Sequence, residues 1–563
     1  MQEAGRWNRR HVSSGSCVLA FALLACAGVL LLPAVASARR VTELVSKPPP
    51  GIVNLGVCAE NSRHTFCHSE VNRDATSIIF QAAGLEEWSA GVTQHVGPLA
   101  CRGRTERCEF AISDDGTHVF WATLSPVTPD DADVHYLDVY ERSEGVTKLI
   151  SSSDPSGGNG PYDADLVFNS RDGSRVIFSL TDCSTVFYSC GGPSAGDWER
   201  VGDEIRPFPS AFARHLTWVH PEGASPDGGR VFFTTDEPLV SADTDGGCAD
   251  QVERYGCDDI YERTATGAVK LISTGPGRGT GPIFAYFLDA TEDGSHVFFE
   301  AGAPLLGDGS DPHGGQYEWV DGSLRFLGDR VAFDAVSHDG TRVFITTGDR
   351  LASEDTDDAG DIYELSGGHA KLISRGPTSG NGPYSARFRG ISEDGSHVFF
   401  ETEEALTPDE QPSCHSAYYE CWDVYERVGD TTRRVSVGPI EGTERDGAFY
   451  AGASADGSRV FFHSTSPYVQ RDTDSCIGLS NWPGCEDVYE RYRGRTTLVS
   501  TGPTDPGTRC FDNCTEFLAA SPDGTRVFFA TEDRLVKEDT DEGNDIYLSR
   551  VASCHPKKQR RTC

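Results

Sequence analysis

Short apolar runs bounded by Gly, Asp and Ser recur along the chain. The most regular run is Val-Phe-Phe, which follows Ser-x-Asp-Gly and two further residues, as in Ser392–Phe400 and Ser521–Phe529. Apolar runs of this length between turn residues are typical of buried β-strands. Asp-Gly is typical of a tight hairpin turn, because glycine readily adopts the positive φ angle that such turns require. The pattern therefore predicts one strand before each turn and one strand after it.

Two further runs follow each turn. The first reads Asp-Val-Tyr-Glu-Arg or a close variant, as at Asp138–Arg142, and the second reads Lys-Leu-Ile-Ser, as at Lys148–Ser151. A short polar turn separates the two runs, which predicts a hairpin. Each unit should therefore contain four antiparallel strands in sequence order. The glycines of the recurring turn are Gly116, Gly173, Gly228, Gly294, Gly340, Gly395, Gly457 and Gly524.

Four-stranded units repeated in this way predict an all-β protein with a single β-propeller, in which neighbouring blades cover each other's apolar faces. We predict about eight blades, within a range of seven to nine. Val71–Phe80 looks like a degenerate first unit. The last unit lacks a fourth strand after Asp545–Leu548, and we expect residues around Ile52 to Val57 to supply that strand and close the ring.

The repeat resembles a known family. Ser225–Phe233 and Ser521–Phe529 are similar to the Ser-Pro-Asp-Gly motif of TolB-like propeller repeats, also called WD40-like PD40 repeats. The resemblance covers essentially all of the chain after the first forty residues. It implies the propeller fold but no particular activity, because that family includes periplasmic scaffolds, binding proteins and non-catalytic domains of peptidases.

The N-terminus has the pattern of an export signal. A basic start precedes the apolar run Val18–Val35, and Ala36–Ala38 provides the small residues that signal peptidase requires. We predict cleavage after Ala38 and a secreted or cell-envelope location. Leu23–Cys26 resembles a lipobox, so lipid anchoring at Cys26 is an alternative. No later apolar run is long enough for a transmembrane helix. The predicted domains are a signal peptide (1–38), the propeller (39–553) and a short basic tail (554–563).

The cysteines agree with export. Two of the 18 lie in the signal segment, and the others form neighbouring couples, which is typical of local disulfides in an oxidising compartment. Zinc would require clusters such as Cys-x-x-Cys with a second pair, and the sequence has none. The predicted disulfides are Cys58–Cys67, Cys101–Cys108, Cys183–Cys190, Cys248–Cys257, Cys414–Cys421, Cys476–Cys485, Cys510–Cys514 and Cys554–Cys563.

Aspartates alternate in the connection between the second and third strands. Leu351–Asp361 and Leu535–Asp545 match position for position. Carboxylates at this spacing can converge on Ca²⁺, which binds six to eight oxygens. The alternative is a structural turn whose carboxylates accept local N–H groups and position the next strand. No other cofactor is expected. The candidate metal ligands are Asp355, Asp357, Asp361, Asp539, Asp541, Asp545, Asp243 and Asp245.

These connections also hold most of the cysteine couples, so we expect them to form a binding face. Aromatic residues in or beside the connections either bind a glycan or protein ligand or pack against their own disulfide. They are Trp422, Trp482, Tyr255, Tyr418 and Tyr419.

The net charge and the motifs that the sequence lacks reduce the number of possible functions. The formal net charge of −37 argues against nucleic acid and favours cationic partners, although it also simply promotes solubility. The chain has no H-E-x-x-H or phosphate-binding Gly-Lys-Ser/Thr motif. His118, His296 and His397 occupy a repeat position that is Arg in other units, which indicates a blade-surface contact rather than a catalytic base.

We therefore predict a monomeric binding module with a protein or glycan ligand, either on the face of the Asp-rich connections or at the mouth of the channel. A polysaccharide hydrolase or lyase with carboxylates at the channel mouth and a purely structural envelope protein are the alternatives. Converging carboxylates or histidines with shifted pKa values would favour the enzyme. An exposed aromatic or apolar patch without them would favour the binding module.

Overall fold

The computed structural model describes eighteen stretches of the 563-residue chain. They are residues 40–47, 59–61, 64–66, 69–82, 84–99, 109–132, 136–151, 162–182, 194–209, 219–244, 258–277, 283–377, 382–408, 422–440, 447–473, 486–503, 515–540 and 543–552. The chain divides into a main unit, Val41–Arg550, and a second unit of Met1–Arg40 with Val551–Cys563. The predicted signal segment and basic tail lie outside the described residues. Within the described stretches, no helix is long and apolar enough to cross a membrane.

Nine sheets of four antiparallel strands form the main unit, and no helix occurs in the described residues. The predicted all-β propeller with four strands per blade in sequence order is confirmed. The nine blades exceed the expected eight by one and lie within the predicted range of seven to nine; the degenerate unit at Val71–Phe80 belongs to a complete blade of its own. A separate two-stranded sheet pairs the strands just before blade 1.

The strands before blade 1 are β1 (Arg40–Leu44), β2 (Ala59–Asn61) and β3 (His64–Phe66). Blade 1 contains β4 (Ser69–Val71), β5 (Ser77–Gln81), β6 (Leu85–Ser89) and β7 (Val92–Gly97); blade 2 contains β8 (Phe110–Ile112), β9 (His118–Thr123), β10 (Asp138–Ser143) and β11 (Val146–Leu149); blade 3 contains β12 (Tyr162–Asn169), β13 (Arg175–Asp182), β14 (Ser194–Val201) and β15 (Glu204–Phe208). Blade 4 contains β16 (His220–Ala224), β17 (Arg230–Thr235), β18 (Asp259–Thr264) and β19 (Val269–Leu271); blade 5 contains β20 (Ala285–Ala290), β21 (His296–Ala301), β22 (Gly315–Val320) and β23 (Ser323–Gly328); blade 6 contains β24 (Ala332–Val336), β25 (Val343–Thr347), β26 (Asp361–Ser366) and β27 (His369–Leu372). Blade 7 contains β28 (Arg387–Ile391), β29 (His397–Thr402), β30 (Asp423–Val428) and β31 (Thr431–Arg434); blade 8 contains β32 (Ala448–Ala453), β33 (Arg459–Ser464), β34 (Asp487–Tyr492) and β35 (Arg495–Leu498); blade 9 contains β36 (Thr515–Ala520), β37 (Arg526–Thr531) and β38 (Asp545–Val551).

The ring closes through a strand from the N-terminal side. Strand β1 pairs with β38 and becomes the fourth strand of blade 9. The expectation that Ile52–Val57 closes the ring is therefore wrong, and that segment lies outside the described residues. The physical reason is that Leu44-Val45-Ser46 repeats the Leu-Val-Ser that ends the fourth strand of blade 8. The Val45 N–H donates to the Ile546 carbonyl at 2.8 Å, just as the Val499 N–H donates to the Val488 carbonyl at 2.8 Å.

Aromatic side chains hold consecutive blades together. The first Phe of Val-Phe-Phe stacks on an aromatic residue in the first strand of the next blade, as Phe399 does on Tyr450 with ring centroids 5.4 Å apart. The second Phe stacks on the Tyr of its own third strand, as Phe400 does on Tyr425 at 5.6 Å. Both Phe residues are fully buried. Because each blade covers the next, the ring is a cooperative arrangement of thin sheets.

The Ser-x-Asp-Gly turn has a defined hydrogen-bond pattern. In blade 7, the Ser392 hydroxyl donates to Asp394 at 2.6 Å and accepts the His397 N–H at 3.0 Å. The same Asp394 oxygen accepts the N–H and the hydroxyl of Ser396 at 2.9 and 2.7 Å. Gly395 has a φ angle of 65°. The motif therefore specifies one donor network and one backbone conformation.

Blade 1 keeps this turn with different residues. The Asn72 side-chain oxygen accepts the N–H groups of Thr76 and Ser77 at 2.9 and 2.7 Å. Ala75 takes the glycine position with a φ angle of 50°. We call the end of the propeller that carries these turns the Asp-Gly face. The other end, where second strands continue into third strands and fourth strands into the next blade, is the connection face.

Candidate binding site at the channel mouth

Three of the predicted metal ligands come together on the connection face of blade 6. One carboxylate oxygen each from Asp355, Asp357 and Asp361 lie within 4.8 Å of one another. Asp355 accepts a hydrogen bond from the Tyr363 hydroxyl, and Asp361 accepts one from the Ser374 hydroxyl. These two aspartates therefore have the structural role that the turn hypothesis requires.

The electrostatics of this cluster leave the calcium hypothesis open. Burial, together with the nearby carboxylates of Asp355, Asp357 and Glu404, raises the pKa of Asp361 to about 7. Asp357 accepts the Ala359 N–H at 2.7 Å through one oxygen, while its other oxygen is buried without a hydrogen-bond partner in the described part of the chain. The cluster could supply three of the six to eight oxygens that Ca²⁺ requires, so calcium binding stays a prediction.

The other candidate ligands do not form such a group among the described residues. Asp243 and Asp539 accept the hydroxyls of buried tyrosines, and Asp545 accepts the Ser46 hydroxyl from the closing strand. Asp245 and Asp541 lie outside the described stretches. Sequence reasoning missed this Tyr–Asp bond, which pairs the Tyr of the third strand with an Asp of the preceding connection. It recurs as Tyr140–Asp131, Tyr261–Asp243, Tyr317–Asp311, Tyr363–Asp355, Tyr489–Asp472 and Tyr547–Asp539.

The predicted disulfides cannot be compared with this structure, because all sixteen cysteines lie outside the described residues, as do Trp482, Tyr255, Tyr418 and Tyr419. Trp422 is described and is only 8% exposed. The guanidinium of Arg387 lies 3.9 Å from the centre of its ring. Trp422 is therefore packed under a cationic side chain and offers little ring surface to a ligand.

The repeated histidines make the blade-surface contacts expected from the sequence. His397 Nδ1 lies 2.6 Å from Glu426 on the third strand of the same blade. Its ring also packs against the turn of the next blade, where a Cβ atom at Gly457 would lie 2.5 Å from the imidazole. Arg342 makes the equivalent bonds to Glu364 at 2.8 and 2.7 Å. His or Arg at this position therefore links the strands of one blade and supports the next blade.

The unspecified residue of Ser-x-Asp-Gly forms a second feature, at the centre of the Asp-Gly face. Backbone hydrogen bonds join this position between consecutive blades, as from the His338 N–H to the Glu393 carbonyl at 2.8 Å and from the Glu393 N–H to the Ala455 carbonyl at 2.9 Å. The first strands of neighbouring blades also contact each other, which places them around the channel. In blades 1 to 9, position x is Arg73, Asp114, Arg171, Pro226, Glu292, His338, Glu393, Ala455 and Pro522.

Side chains at position x meet across the channel. Arg73 of blade 1 lies 3.4 Å from Glu292 of blade 5 and 3.1 Å from Glu393 of blade 7. Arg171 of blade 3 contacts Glu292 as well. Contacts between blades so far apart in the ring can only form over its centre. The network therefore spans the channel mouth.

Glu292 is the centre of this network. One of its oxygens contacts both arginines, and the other lies 2.7 Å from His338 Nδ1. Arg171 Nε also contacts Asp114 at 2.8 Å. Sequence reasoning named the channel mouth but none of these residues. The available signal was the one variable position inside an otherwise regular turn.

The network borders a cavity of about 470 Å³. Arginine, glutamate and histidine side chains of blades 1, 3, 5, 6 and 7 form part of its lining. Small or apolar residues form the rest, and blades 8 and 9 contribute no charge. These residues are Val336, Ile391, Ser392, Ala453, Ser454, Ala455, Ala520 and Pro522. The channel mouth therefore combines ion pairs with an uncharged sector.

A ring of ionised carboxylates surrounds this cavity. Partial burial alone would raise the pKa values of the turn aspartates, but the hydroxyl and N–H donors of each turn outweigh it and lower them. Donation from the neighbouring Ser and Thr residues lowers the pKa values of Asp293 and Asp394 to about 2. All of these aspartates are exposed. The eight with lowered pKa values are Asp115, Asp172, Asp227, Asp293, Asp339, Asp394, Asp456 and Asp523.

The chemistry of the mouth suits recognition better than catalysis. Carboxylates and a histidine converge there, as the enzyme hypothesis requires. However, Asp114, Glu292 and Glu393 each contact an arginine. A carboxylate held in an ion pair with an arginine is poorly suited to proton transfer, whereas a binding site can use such paired charges to orient a ligand.

Comparisons with known proteins add little to this description. No model of a known protein family matches the chain, and no curated protein matches it. One solved structure with a similar fold comes from work on two prolyl endopeptidases: it is 15% identical, covers 77% of this chain and 55% of its own, and has a TM-score of 0.33. The chain thus spans about half of that protein.

Two further structures are similar at the same level. The β-propeller domain of the Trilobed protease from Pyrococcus furiosus is 10% identical, with 70% of this chain and 96% of that chain covered and a TM-score of 0.30. A post-proline cleaving enzyme from Rickettsia typhi is 11% identical, with 75% and 57% covered and a TM-score of 0.36. These values carry no argument about activity. The propeller assignment rests on the strand topology, and membership of the TolB-like family stays a prediction.

Proposed function

We propose that the chain is an exported β-propeller that binds a ligand at the channel mouth of the Asp-Gly face and acts as an interaction module of the cell envelope or extracellular space. The observation that supports this proposal best is the charged network of Arg73, Glu292 and Glu393, which meets over a cavity with an uncharged sector. Fixed charges beside apolar surface are typical of a site that orients a ligand.

Binding at this site is tested with the full chain and two variants that change the mouth in different ways. Glu292→Gln removes the central charge, and Ala455→Trp fills the cavity without removing a charge. Glu204→Gln is the matched control, because Glu204 is exposed at the start of an outer strand. The immobilised proteins are exposed to envelope and extracellular fractions of the source organism, and bound molecules are mapped by cross-linking and mass spectrometry.

The proposal predicts a ligand that cross-links to the channel mouth. Its retention should fall at least about tenfold in Glu292→Gln and Ala455→Trp and should be unchanged in Glu204→Gln. Absence of any retained ligand would favour a purely structural protein. Release of shorter saccharides from envelope polysaccharide by the wild-type chain, abolished by Glu292→Gln, would favour the hydrolase or lyase instead.

Export is tested separately. The basic, apolar and small-residue pattern of residues 1–38 supports cleavage after Ala38, and β1 begins at Arg40. We expect the exported chain to start at Arg39 and to contain eight disulfides between neighbouring cysteines, both measured by mass spectrometry of non-reduced peptides. A lipidated N-terminal Cys26 would show that the protein is anchored. An uncleaved chain with free thiols would contradict export.

A further inference from the structure

We infer that the ligand bound at the channel mouth presents a lysine or arginine side chain from a basic polypeptide segment, and that this side chain enters the cavity between Glu393 and the uncharged sector. This inference rests on the proposed function and specifies its ligand. Three independent features of the Asp-Gly face support it.

The first feature is the balance of charge inside the mouth. Three carboxylates face two guanidinium groups and one histidine. Both arginines already contact carboxylates on more than one side. In the described part of the chain, the Glu393 side chain contacts only Arg73, through one oxygen, and it is 54% exposed. An added anion would have to separate existing pairs, whereas an added cation can bind the remaining carboxylate oxygen.

The second feature is the field around the mouth. Eight exposed turn aspartates have lowered pKa values and are therefore ionised at neutral pH. The chain as a whole carries a formal charge of −37. A ring of one sign around a cavity concentrates counter-ions at its centre and speeds their association. The Asp-Gly face therefore attracts cations and repels anions.

The third feature is the uncharged wall of the cavity, which favours an amino-acid side chain over a simple metal ion as the ligand. Blades 8 and 9 place Ala453, Ala455, Ala520 and Pro522 beside Glu393, with no charge among them. A hydrated metal ion gains nothing from such a wall. The alkyl stem of lysine or arginine packs favourably against it while the charged end reaches the carboxylate. The combination fits an alkyl cation.

The test uses the full chain and three short synthetic peptides of identical length: one rich in Lys and Arg, one with Gln at those positions, and one with Glu. Binding is measured by fluorescence anisotropy for wild type, Glu393→Gln and Asp114→Asn. Asp203→Asn is the matched control, because Asp203 is an exposed carboxylate on the same face that pairs with Lys148 away from the mouth. The thermal melt of each variant confirms that it is folded.

We expect only the basic peptide to bind. Its affinity should fall at least about fivefold in Glu393→Gln, by less in Asp114→Asn, and not at all in Asp203→Asn. It should also weaken markedly from about 0.05 M to about 0.3 M NaCl. Equal binding of the three peptides, or an unchanged affinity in Glu393→Gln, would overturn the inference.

Further outcomes separate this inference from the proposed function. If a natural ligand cross-links to the mouth but is retained by Glu393→Gln, the proposed function stands and the basic ligand is wrong. Spermine, a small polyamine, is added as a competitor of the basic peptide. If spermine does not displace the peptide and the peptide cross-links to Ala455 or Pro522, the proposed function and the basic polypeptide ligand are both supported. If spermine alone binds as tightly as the peptide, the ligand is a small polyamine and the polypeptide assignment is wrong.

Discussion

The two ends of a single blade use the same residue type in opposite ways. In blade 6, Asp339 lies in the turn of the Asp-Gly face, where donors from Ser337 and Thr341 lower its pKa. Asp361 lies at the connection face, where burial and neighbouring carboxylates raise its pKa to about 7. The two ends of blade 6 therefore differ in the pKa of their aspartates: hydrogen-bond donors lower that of Asp339 at the Asp-Gly face, whereas burial raises that of Asp361 at the connection face.

The largest expected effect on stability comes from removing the buried carboxylate of Asp361 at the connection face. Because the folded-state pKa of Asp361 exceeds its ordinary value of 3.8, its favourable contribution is complete below about pH 4 and is lost as the pH rises to about 7. Asp361→Asn should therefore raise the free energy of unfolding at pH 8 by about 2–4 kcal/mol in the presence of EDTA. Denaturant titrations at pH 4 and pH 8 measure the difference, and an Asn variant less stable at pH 8 would contradict it.

A matched pair of substitutions compares the hydrogen bonds at the two ends. Tyr363→Phe leaves the buried Asp355 carboxylate without its hydroxyl donor, and the expected loss of stability is about 2 kcal/mol. Ser337→Ala removes one of several donors to the exposed Asp339, and the expected loss is about 1 kcal/mol. Denaturant unfolding followed by tryptophan fluorescence gives both values. A larger loss for Ser337→Ala would reverse the comparison.

Calcium would change the comparison at the connection face. If Asp355, Asp357 and Asp361 bind Ca²⁺ with the millimolar to submillimolar affinity of extracellular sites, about 5 mM Ca²⁺ should stabilise the fold by about 1–2 kcal/mol. The melting temperature should then fall on addition of EDTA in wild type but not in Asp357→Asn. A wild-type melting temperature that is the same in Ca²⁺ and in EDTA would remove the metal hypothesis.

The smallest effect is expected at the Asp-Gly face. The folded-state pKa of Asp394 is about 2, so its contribution is constant above about pH 5 and disappears only as the pH falls toward 2. Because the carboxylate is exposed, Asp394→Asn should cost less than about 1 kcal/mol. Melting temperatures from pH 5 to pH 8 should show a constant small difference from wild type. A difference that grows between pH 5 and pH 8 would show that this carboxylate is not already ionised.

The regular parts of the repeat could be predicted from the sequence, because each depends on residues close together in the chain. Asp-Gly, Val-Phe-Phe and Val-Tyr-Glu-Arg identify a turn and two strands by local chemistry. Blade 1 was harder to recognise, because Asn72 and Ala75 form the same turn with other side chains. The closing strand was misplaced, because its only signal is the short match of Leu44-Val45-Ser46 to other fourth strands.

The channel mouth could not be predicted from local patterns. Arg73 and Glu393 are separated by more than half of the chain and meet only because the ring brings all nine turns to one centre. The sequence does indicate a variable position in each turn, but not which variants face each other. The same holds for the Tyr363–Asp355 bond, which depends on how the connection folds back over the third strand.

The most direct test is to titrate individual aspartates. Carbon-13 NMR of a chain labelled at the Asp side-chain carboxyl carbon, compared with Asp361→Asn and Asp394→Asn, identifies the two signals by their absence. We predict that the Asp361 signal titrates near pH 7 and the Asp394 signal near pH 2. Titration of both signals near pH 4 would show that the aspartates at the two ends of a blade do not differ in pKa, and would contradict this account of the two faces.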